Sequence, residues 1–313
     1  MTEMIWSVVL LVIGFVLLIK GADFFVEGSS SVAKMLKVPS IIIGLTIVAM
    51  GTSLPECAVS LTASMTNNNA LAVSNAVGSN IFNLMVVCGV CALFNPLVVS
   101  KDTLKKEFPF SIVCAILLLV GGYIGMEIGR VDGLILLAVF VCFLIWMIKS
   151  ALKARANAGD EEYEVLPVWK CILFIIGGII AIKFGGDFVV DGASTIAAKM
   201  GLSQNLIGLT IVACGTSLPE LVTSVVAARK NELDMALGNV IGSNIFNILF
   251  VLGIAAAISP VAFIMENVID IVILIVMSVI VWIFGWTKQK LTKTEGIIML
   301  IMYAAYLVYI CIR

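Results

Sequence analysis

The chain has 313 residues, of which 61% are hydrophobic and only 12% charged, with a formal net charge of -1 and no histidine. Soluble domains carry about 25% charged residues, so with a mean hydropathy of +1.16 this composition belongs to a membrane protein. The missing imidazole excludes Ser-His-Asp hydrolysis, HExxH zinc proteolysis and histidine-based intramembrane proteolysis, and the small net charge supplies no basic field for nucleic acid.

A hydrocarbon core about 30 Å thick takes about 20 apolar residues of helix. In chain order, runs of that kind occupy residues 4–24, 40–65, 70–94, 107–125, 131–151, 168–188, 204–228, 234–258, 264–285 and 295–312. The first lacks the charged start and small-residue cleavage site of a signal peptide and reads as a mature span. No stretch between spans is long enough for a soluble domain, so no separate regulatory module is expected. The longest hydrophilic stretch, 153–167, carries Asp160, Glu161, Glu162 and Glu164 and divides the chain nearly in half. All eight cysteines lie in or at the end of apolar runs. The CxxC pair Cys88/Cys91 has no second cluster or histidine beside it, so buried free thiols are expected rather than a metal or redox centre.

Cytoplasmic loops retain Lys and Arg. One set of alternate loops holds Lys34, Lys37, Lys101, Lys105, Lys106, Lys149, Lys153, Arg155, Arg229, Lys230, Lys288, Lys290 and Lys293, against Arg130, Lys199 and Arg313 on the other side. Both termini are therefore expected outside and the central linker inside, in the plasma (cell inner) membrane.

Shifted by 164 residues, Gly21–Pro96 aligns with Gly185–Pro260 without a gap, with 35 of 76 positions identical. The expected fold is all-α and integral to the membrane: ten transmembrane helices as two inverted five-helix repeats, with helices 2 and 7 broken. Residues 1–152 form the first repeat, 153–167 the linker and 168–313 the second repeat, and the strongest repeated motifs cover 44–83 and 208–247. Five spans per repeat put the second copy into the membrane from the opposite side, and transporters with inverted repeats bind their substrates near midplane.

The block GLTIVAMGTSLPE at Gly44–Glu56 returns as GLTIVACGTSLPE at Gly208–Glu220. Glu56 and Glu220 fall deep within apolar spans, where an ionised side chain costs at least about 2.5–3.5 kcal/mol, and neither block contains a Lys or Arg. A bound cation is the simplest partner. Pro55 and Pro219 lack the N–H that would reach the carbonyls of Gly51 and Gly215, and such groups are tolerated in hydrocarbon only when buried or lining a polar cavity. Each half thus offers loose carbonyls, the hydroxyls of Thr52 and Ser53 or Thr216 and Ser217, and a carboxylate within about one turn. Hard oxygens of this kind suit Ca²⁺, Mg²⁺ or Na⁺ rather than zinc or copper.

The second repeated block, GSNIFN at Gly78–Asn83 and Gly242–Asn247, places Ser79 with Asn83, and Ser243 with Asn247, on one helical face. Asn75 and Asn239 extend the stripe by a turn. The stripe is read either as further oxygen donors or as helix packing, and Gly78 and Gly242 as packing residues. A third element, GADFFVEGS at Gly21–Ser29 and GGDFVVDGA at Gly185–Ala193, carries Asp23 and Asp187. These read as interfacial or vestibule charges within reach of Lys20 and Lys183 one turn before them.

With GTSLPE twice and GSNIFN twice in register, the sequence resembles the cation/calcium exchanger superfamily, most closely bacterial sodium/calcium antiporters, over essentially its whole length. The resemblance implies Ca²⁺ held by Glu56, Glu220 and the carbonyls of Thr52 and Thr216. It implies a Na⁺ surround of Ala49, Ser53, Ser79, Asn83, Ala213, Ser217, Ser243 and Asn247. Several branches of that superfamily have aspartate at the position of Asn247, so this site holds two formal negative charges, matching one Ca²⁺ or two Na⁺. The expected protein is a secondary antiporter rather than an enzyme, extruding Ca²⁺ against inward Na⁺ by alternating access, with no cofactor and no partner beyond its ions and the bilayer. A monomer is compatible with the sequence, which leaves the oligomeric state open. A proton-coupled calcium exchanger and a cation channel are the alternatives, and the peripheral first and sixth spans are candidates to slide past the core.

Overall fold

The computed structural model describes residues 2–65, 70–157, 165–202, 207, 211 and 213–312. Among these residues, seven helices are long and apolar enough to cross a bilayer, and the bent pair Ser40–Thr52 and Leu54–Met65 makes an eighth. Ten spans were expected. The run at 107–125 becomes a helix of 17 residues, about 26 Å at 1.5 Å per residue and shorter than the hydrocarbon core. The run at 204–228 includes residues outside the described set.

Helix α1, Thr2–Leu36, is 35 residues long, well beyond the 4–24 expected. Nothing in GADFFVEGS breaks it; it stops where Lys37 adopts a left-handed φ of 54° ahead of Pro39, with Val38 N–H bonded to Ala33 O at 3.0 Å. Its partner α10, Val168–Lys199, is likewise longer than its 168–188 run. The two pack antiparallel along glycines spaced seven apart. A Cβ on Gly14 would lie 2.8 Å from the Gly185 carbonyl, and one on Gly178 would lie 2.8 Å from the Gly21 carbonyl, so no larger residue permits this approach. The outer face of α1, with Trp6, Val12 and Val16 exposed, is apolar and suited to lipid.

The second span is broken as Pro55 requires. It runs through α2 (Ser40–Ile43), a π-helical turn (Gly44–Val48) and α3 (Ala49–Thr52). It then bends by 49° into α4, Leu54–Met65. In the second half α11 (Ala213–Gly215) and α12 (Leu218–Arg229) repeat the interruption before Pro219. The third span is α5 (Ala70–Phe82), a π-helical turn (Asn83–Val87) and α6 (Cys88–Phe94). Its counterpart is α13 (Leu233–Phe246), a π-helical turn (Asn247–Val251) and α14 (Leu252–Ile258). Every residue of α13 from Met235 to Phe246 is buried, because the first limb of span 2 crosses it closely: a Cβ on Gly242 would lie 2.7 Å from the Leu45 carbonyl. Gly242 is thus the packing residue expected. Gly78 has no described neighbour within 4 Å, and residues 208–210 and 212, in the segment matching Gly44–Ala49, lie outside the described set.

The remaining helices, α7 (Lys101–Lys105), α8 (Glu107–Tyr123), α9 (Arg130–Ala156), α15 (Met265–Lys288) and α16 (Lys293–Ile312), surround this centre. Among the described residues the fold is all-α apart from four two-residue strands that the sequence reading did not anticipate. These are β1 (Leu97–Val98), β2 (Glu127–Ile128), β3 (Val261–Ala262) and β4 (Lys290–Leu291). They pair crosswise and antiparallel, Leu97 with Leu291 and Ile128 with Val261, so each half closes the other. All eight cysteines are free; Cys88, Cys91, Cys114 and Cys171 are buried, Cys57 and Cys214 half-buried. Cys142 and Cys311 are exposed, contrary to expectation, beside exposed Ile145 and Ile312 on faces that suit lipid.

Candidate ion-binding site

Glu56 and Glu220 are both fully buried. Each stands in the first turn of the helix that follows its break, so the proline that interrupts the span also sets the carboxylate at the start of a fresh helix. Their hydrogen bonds cross between the halves. Ser217 donates to Glu56 Oε1 at 3.2 Å and Ser53 donates to Glu220 Oε1 at 2.7 Å. Ser79, on α5, donates a further bond to Glu56 Oε1 at 3.3 Å. Among the described residues no Lys or Arg pairs with either carboxylate, and the second oxygen of each, Oε2, is buried without a hydrogen-bond partner.

The asparagine stripe divides into two tasks. Asn75 donates to the main-chain oxygen of Glu56 at 3.3 Å and to Ser60 at 3.0 Å. Asn239 does the same at Glu220 (3.5 Å) and Ser224 (2.9 Å), so both anchor the helices that bear the carboxylates. Asn239 also accepts from the Thr52 hydroxyl at 3.1 Å, which fixes where that hydroxyl's proton points and leaves its lone pairs unused. Asn83 and Asn247 instead leave their Oδ1 atoms buried and unpartnered, one turn beyond Ser79 and Ser243. The Ser243 hydroxyl is also buried and unpartnered.

Thr52, Ser53, Glu56, Ser79, Asn83, Ser217, Glu220, Ser243 and Asn247 are all buried. Direct bonds link both carboxylates to Ser53, Ser79 and Ser217. Ala49 is buried as well, and its carbonyl accepts from Ser53 N–H at 3.1 Å and from Thr52 Oγ1 at 3.4 Å. Ala213 opens α11, where its backbone alone is described. Thr216 is only half-buried, and its hydroxyl has no partner. Sequence reasoning passed over Ser60, Ser224, Asn80 and Asn244. Each pair repeats at the 164-residue offset, and that identity was the signal available.

Two buried carboxylates bonded by the hydroxyls of Ser53, Ser79 and Ser217, with unpartnered acceptors on the helices beside them, make an oxygen-rich set that has no basic counter-charge among the described residues. Buried acceptors of this kind are costly unless a donor or a cation satisfies them. A cavity of about 320 Å³, walled by Pro55, Thr216 and Pro219 on one side and Lys183, Asp187 and Asp191 of α10 on the other, reaches the residues next to both glutamates. Asp187 is paired with Lys183 at 2.5 Å, as the spacing suggested, and lies in the cavity wall. At the related position of the first half, Asp23 pairs more closely with Lys230 (3.1 Å) than with Lys20 (4.0 Å), and Lys230 also reaches Glu27 at 3.6 Å. A larger cavity of about 630 Å³ beside Glu27, Lys34, Lys230 and Glu232 has none of the oxygen donors in its wall, so its size carries no chemistry.

Among known proteins, the chain matches the family of sodium/calcium exchanger proteins over residues 6–149 and again over 170–312. It is 43% identical to the antiporter candidate CaxA of Alkalimonas amylolytica over 82% of each chain. It is 32% identical to the sodium/calcium exchanger MaX1 of Methanosarcina acetivorans over 96% of this chain and 97% of that one. The structure superposes on that of the sodium-calcium exchanger NCX_Mj soaked with 2.5 mM Na⁺ and 10 mM Sr²⁺. That match has a TM-score of 0.85 and 34% identity, and covers 97% of this chain and 99% of that one.

Proposed function

Because the chain belongs to the sodium/calcium exchanger protein family and is therefore a cation/calcium antiporter, we propose that it drives Ca²⁺ out of the cell with inward Na⁺, by alternating access in ten spans arranged as two inverted repeats. The observation that carries this reading is the pair of fully buried carboxylates, Glu56 and Glu220, bonded by serine hydroxyls and without a basic partner among the described residues.

In this reading Ca²⁺ takes Glu56, Glu220 and the main-chain oxygens of Thr52 and Thr216. Na⁺ takes overlapping positions among the carboxylates, Ser53, Ser79, Asn83, Ser217, Ser243, Asn247 and the carbonyls of Ala49 and Ala213. The serines suit both loads, because a hydroxyl can donate to a carboxylate or rotate to offer its lone pairs to a cation. Shared ligands make the two ions exclusive, and exclusivity couples their fluxes. One Ca²⁺ or two Na⁺ offsets the two negative charges, and only a neutralised centre crosses the apolar barrier readily when the protein changes facing.

The long α1 and α10 are the elements proposed to slide, since they lie outside the broken helices and carry the charges of the cavity mouths. Lys230 pairs with Asp23 and Glu27 beside one cavity, and Lys183 pairs with Asp187 in the wall of the other. The Lys and Arg bias of the loops places both termini outside and the linker in the cytoplasm, in the plasma membrane.

Purified protein in proteoliposomes tests the coupling. Uptake of ⁴⁵Ca²⁺ is measured with Na⁺, K⁺ or H⁺ gradients imposed one at a time. Outward Na⁺ should drive uptake, and a K⁺ gradient of equal size should not. Uptake that follows the pH gradient and ignores Na⁺ would make the protein a proton-coupled exchanger, and Ca²⁺ flux without counter-transport would make it a channel.

A further inference from the structure

We propose that Asn80 and Asn244 are positioning residues that decide which atom Asn83 and Asn247 turn toward the ions. The inference rests on the ion-site reading above and deepens it.

The four asparagines form one buried network across the interface between the halves, none of them more than 3% exposed. Asn80 Nδ2 donates to the main-chain oxygen of Asn244 at 3.1 Å, and Asn244 Nδ2 donates to the main-chain oxygen of Asn80 at 3.3 Å. A main-chain carbonyl only accepts, so it can face only the NH₂ end of a carboxamide. That requirement fixes the direction of both amides. The Oδ1 atoms of Asn80 and Asn244 are left on the opposite side, where they accept from Asn247 Nδ2 at 3.1 Å and Asn83 Nδ2 at 3.4 Å.

Orientation therefore passes outward one step at a time. Asn247 and Asn83 must give their nitrogens to the network, and their oxygens, which have no other partner, point away from it. Turning either amide over would set its Oδ1 against the Oδ1 of Asn80 or Asn244, acceptor facing acceptor, and lose the hydrogen bond. The site thus receives two acceptors whose direction is set before an ion arrives, whereas an unheld asparagine must first turn its oxygen to the cation. The control is reciprocal: Asn80 of the first half orients Asn247 of the second, and Asn244 orients Asn83.

A sign reversal separates this role from simple helix packing. Half-saturating Na⁺ and maximal rate are measured by ⁴⁵Ca²⁺ uptake driven by graded Na⁺, and half-saturation also by Na⁺-induced thermal shift in detergent, which needs no transport. Asn80→Ala should raise half-saturating Na⁺ by about tenfold, the scale of one lost hydrogen bond. In an Asn247→Asp background the same substitution should leave half-saturation unchanged or lower it. A carboxylate offers oxygen whichever way it turns, and Asn80 Oδ1 would there face an oxygen that cannot donate. The mirror pair, Asn244→Ala with and without Asn83→Asp, should behave alike and serves if the first pair folds poorly. An equal rise in both backgrounds, or a loss of maximal rate and folded protein with half-saturation unmoved, overturns the proposal. Glu56→Gln as a control keeps the two levels apart: wild-type flux in that variant overturns the ion-site reading itself, whereas its loss together with background-independent effects at Asn80 overturns only the positioning role.

Discussion

Replacing Glu56 by Gln changes the charge of the site and little else. The side chain keeps its length, and its remaining oxygen can still accept from Ser217 and Ser79, which bond Oε1 at 3.2 and 3.3 Å. The formal charge falls from two to one. With an effective dielectric constant of about 20, unit charges 4 Å apart interact by about 4 kcal/mol. Removing one carboxylate charge therefore costs a divalent ion about 8 kcal/mol and a monovalent ion about 4 kcal/mol on the same scale. Compared ion for ion, the difference of about 4 kcal/mol corresponds to about three orders of magnitude in the ratio of Ca²⁺ affinity to the affinity for a single Na⁺. A two-Na⁺ load spreads its cost over two binding steps. Relaxation and water lower both terms, but they keep their order. The assay is ⁴⁵Ca²⁺ uptake and ²²Na⁺/Na⁺ exchange in the same vesicles. Ca²⁺ flux should fall at least about a hundredfold at subsaturating Ca²⁺, with Na⁺ exchange reduced much less. Glu220→Gln, where Ser53 is the retained donor, should behave the same way. Equal losses of Ca²⁺ and Na⁺ flux would refute the charge reasoning, and wild-type flux in both variants would remove the glutamates from the site.

Pro55→Ala restores an N–H four residues beyond the Gly51 carbonyl and lets the 49° bend relax toward a continuous helix. The variant should melt no lower than wild type while Ca²⁺ uptake drops by about tenfold or more, because an interior proline costs a helix about 3 kcal/mol and the function depends on that break; unchanged uptake would show that the bend is incidental. Gly185→Leu puts a Cβ 2.7 Å from the Leu18 main-chain nitrogen. It should destabilise the protein by about 1–3 kcal/mol, read as a lowered melting temperature in detergent, and an unmoved melting temperature would contradict the close packing of α1 on α10.

The candidate site was largely legible in the sequence. Glu56 and Glu220 stand out because a carboxylate in an apolar run is costly wherever the chain places it, and Pro55 announces the break because its missing N–H acts within one helical turn. The repeat at 164 residues pairs the donors by sequence alone. Asn80 and Asn244 escaped notice because they lie off the face defined by Asn75, Ser79 and Asn83, and their task appears only when two helices meet. The length of α1 was missed for a related reason: its glycines suggest a weak helix until α10 lies against them, and the charges after Gly21 resemble a span end until Lys230 is seen to pair with two of them.

By itself, the sequence determined the solvent, the duplication, the two buried charges and the interruptions that hold them, all consequences of side-chain transfer energies and of backbone rules that act over a few residues. The tertiary structure alone decided that Ser53 serves Glu220 and Ser217 serves Glu56, that the short strands close each half with the other, and that four asparagines fix one another's direction. These contacts join residues more than 130 positions apart, and hydrogen-bond direction in a buried network is set by which acceptor lies opposite. No local pattern in the chain contains that information.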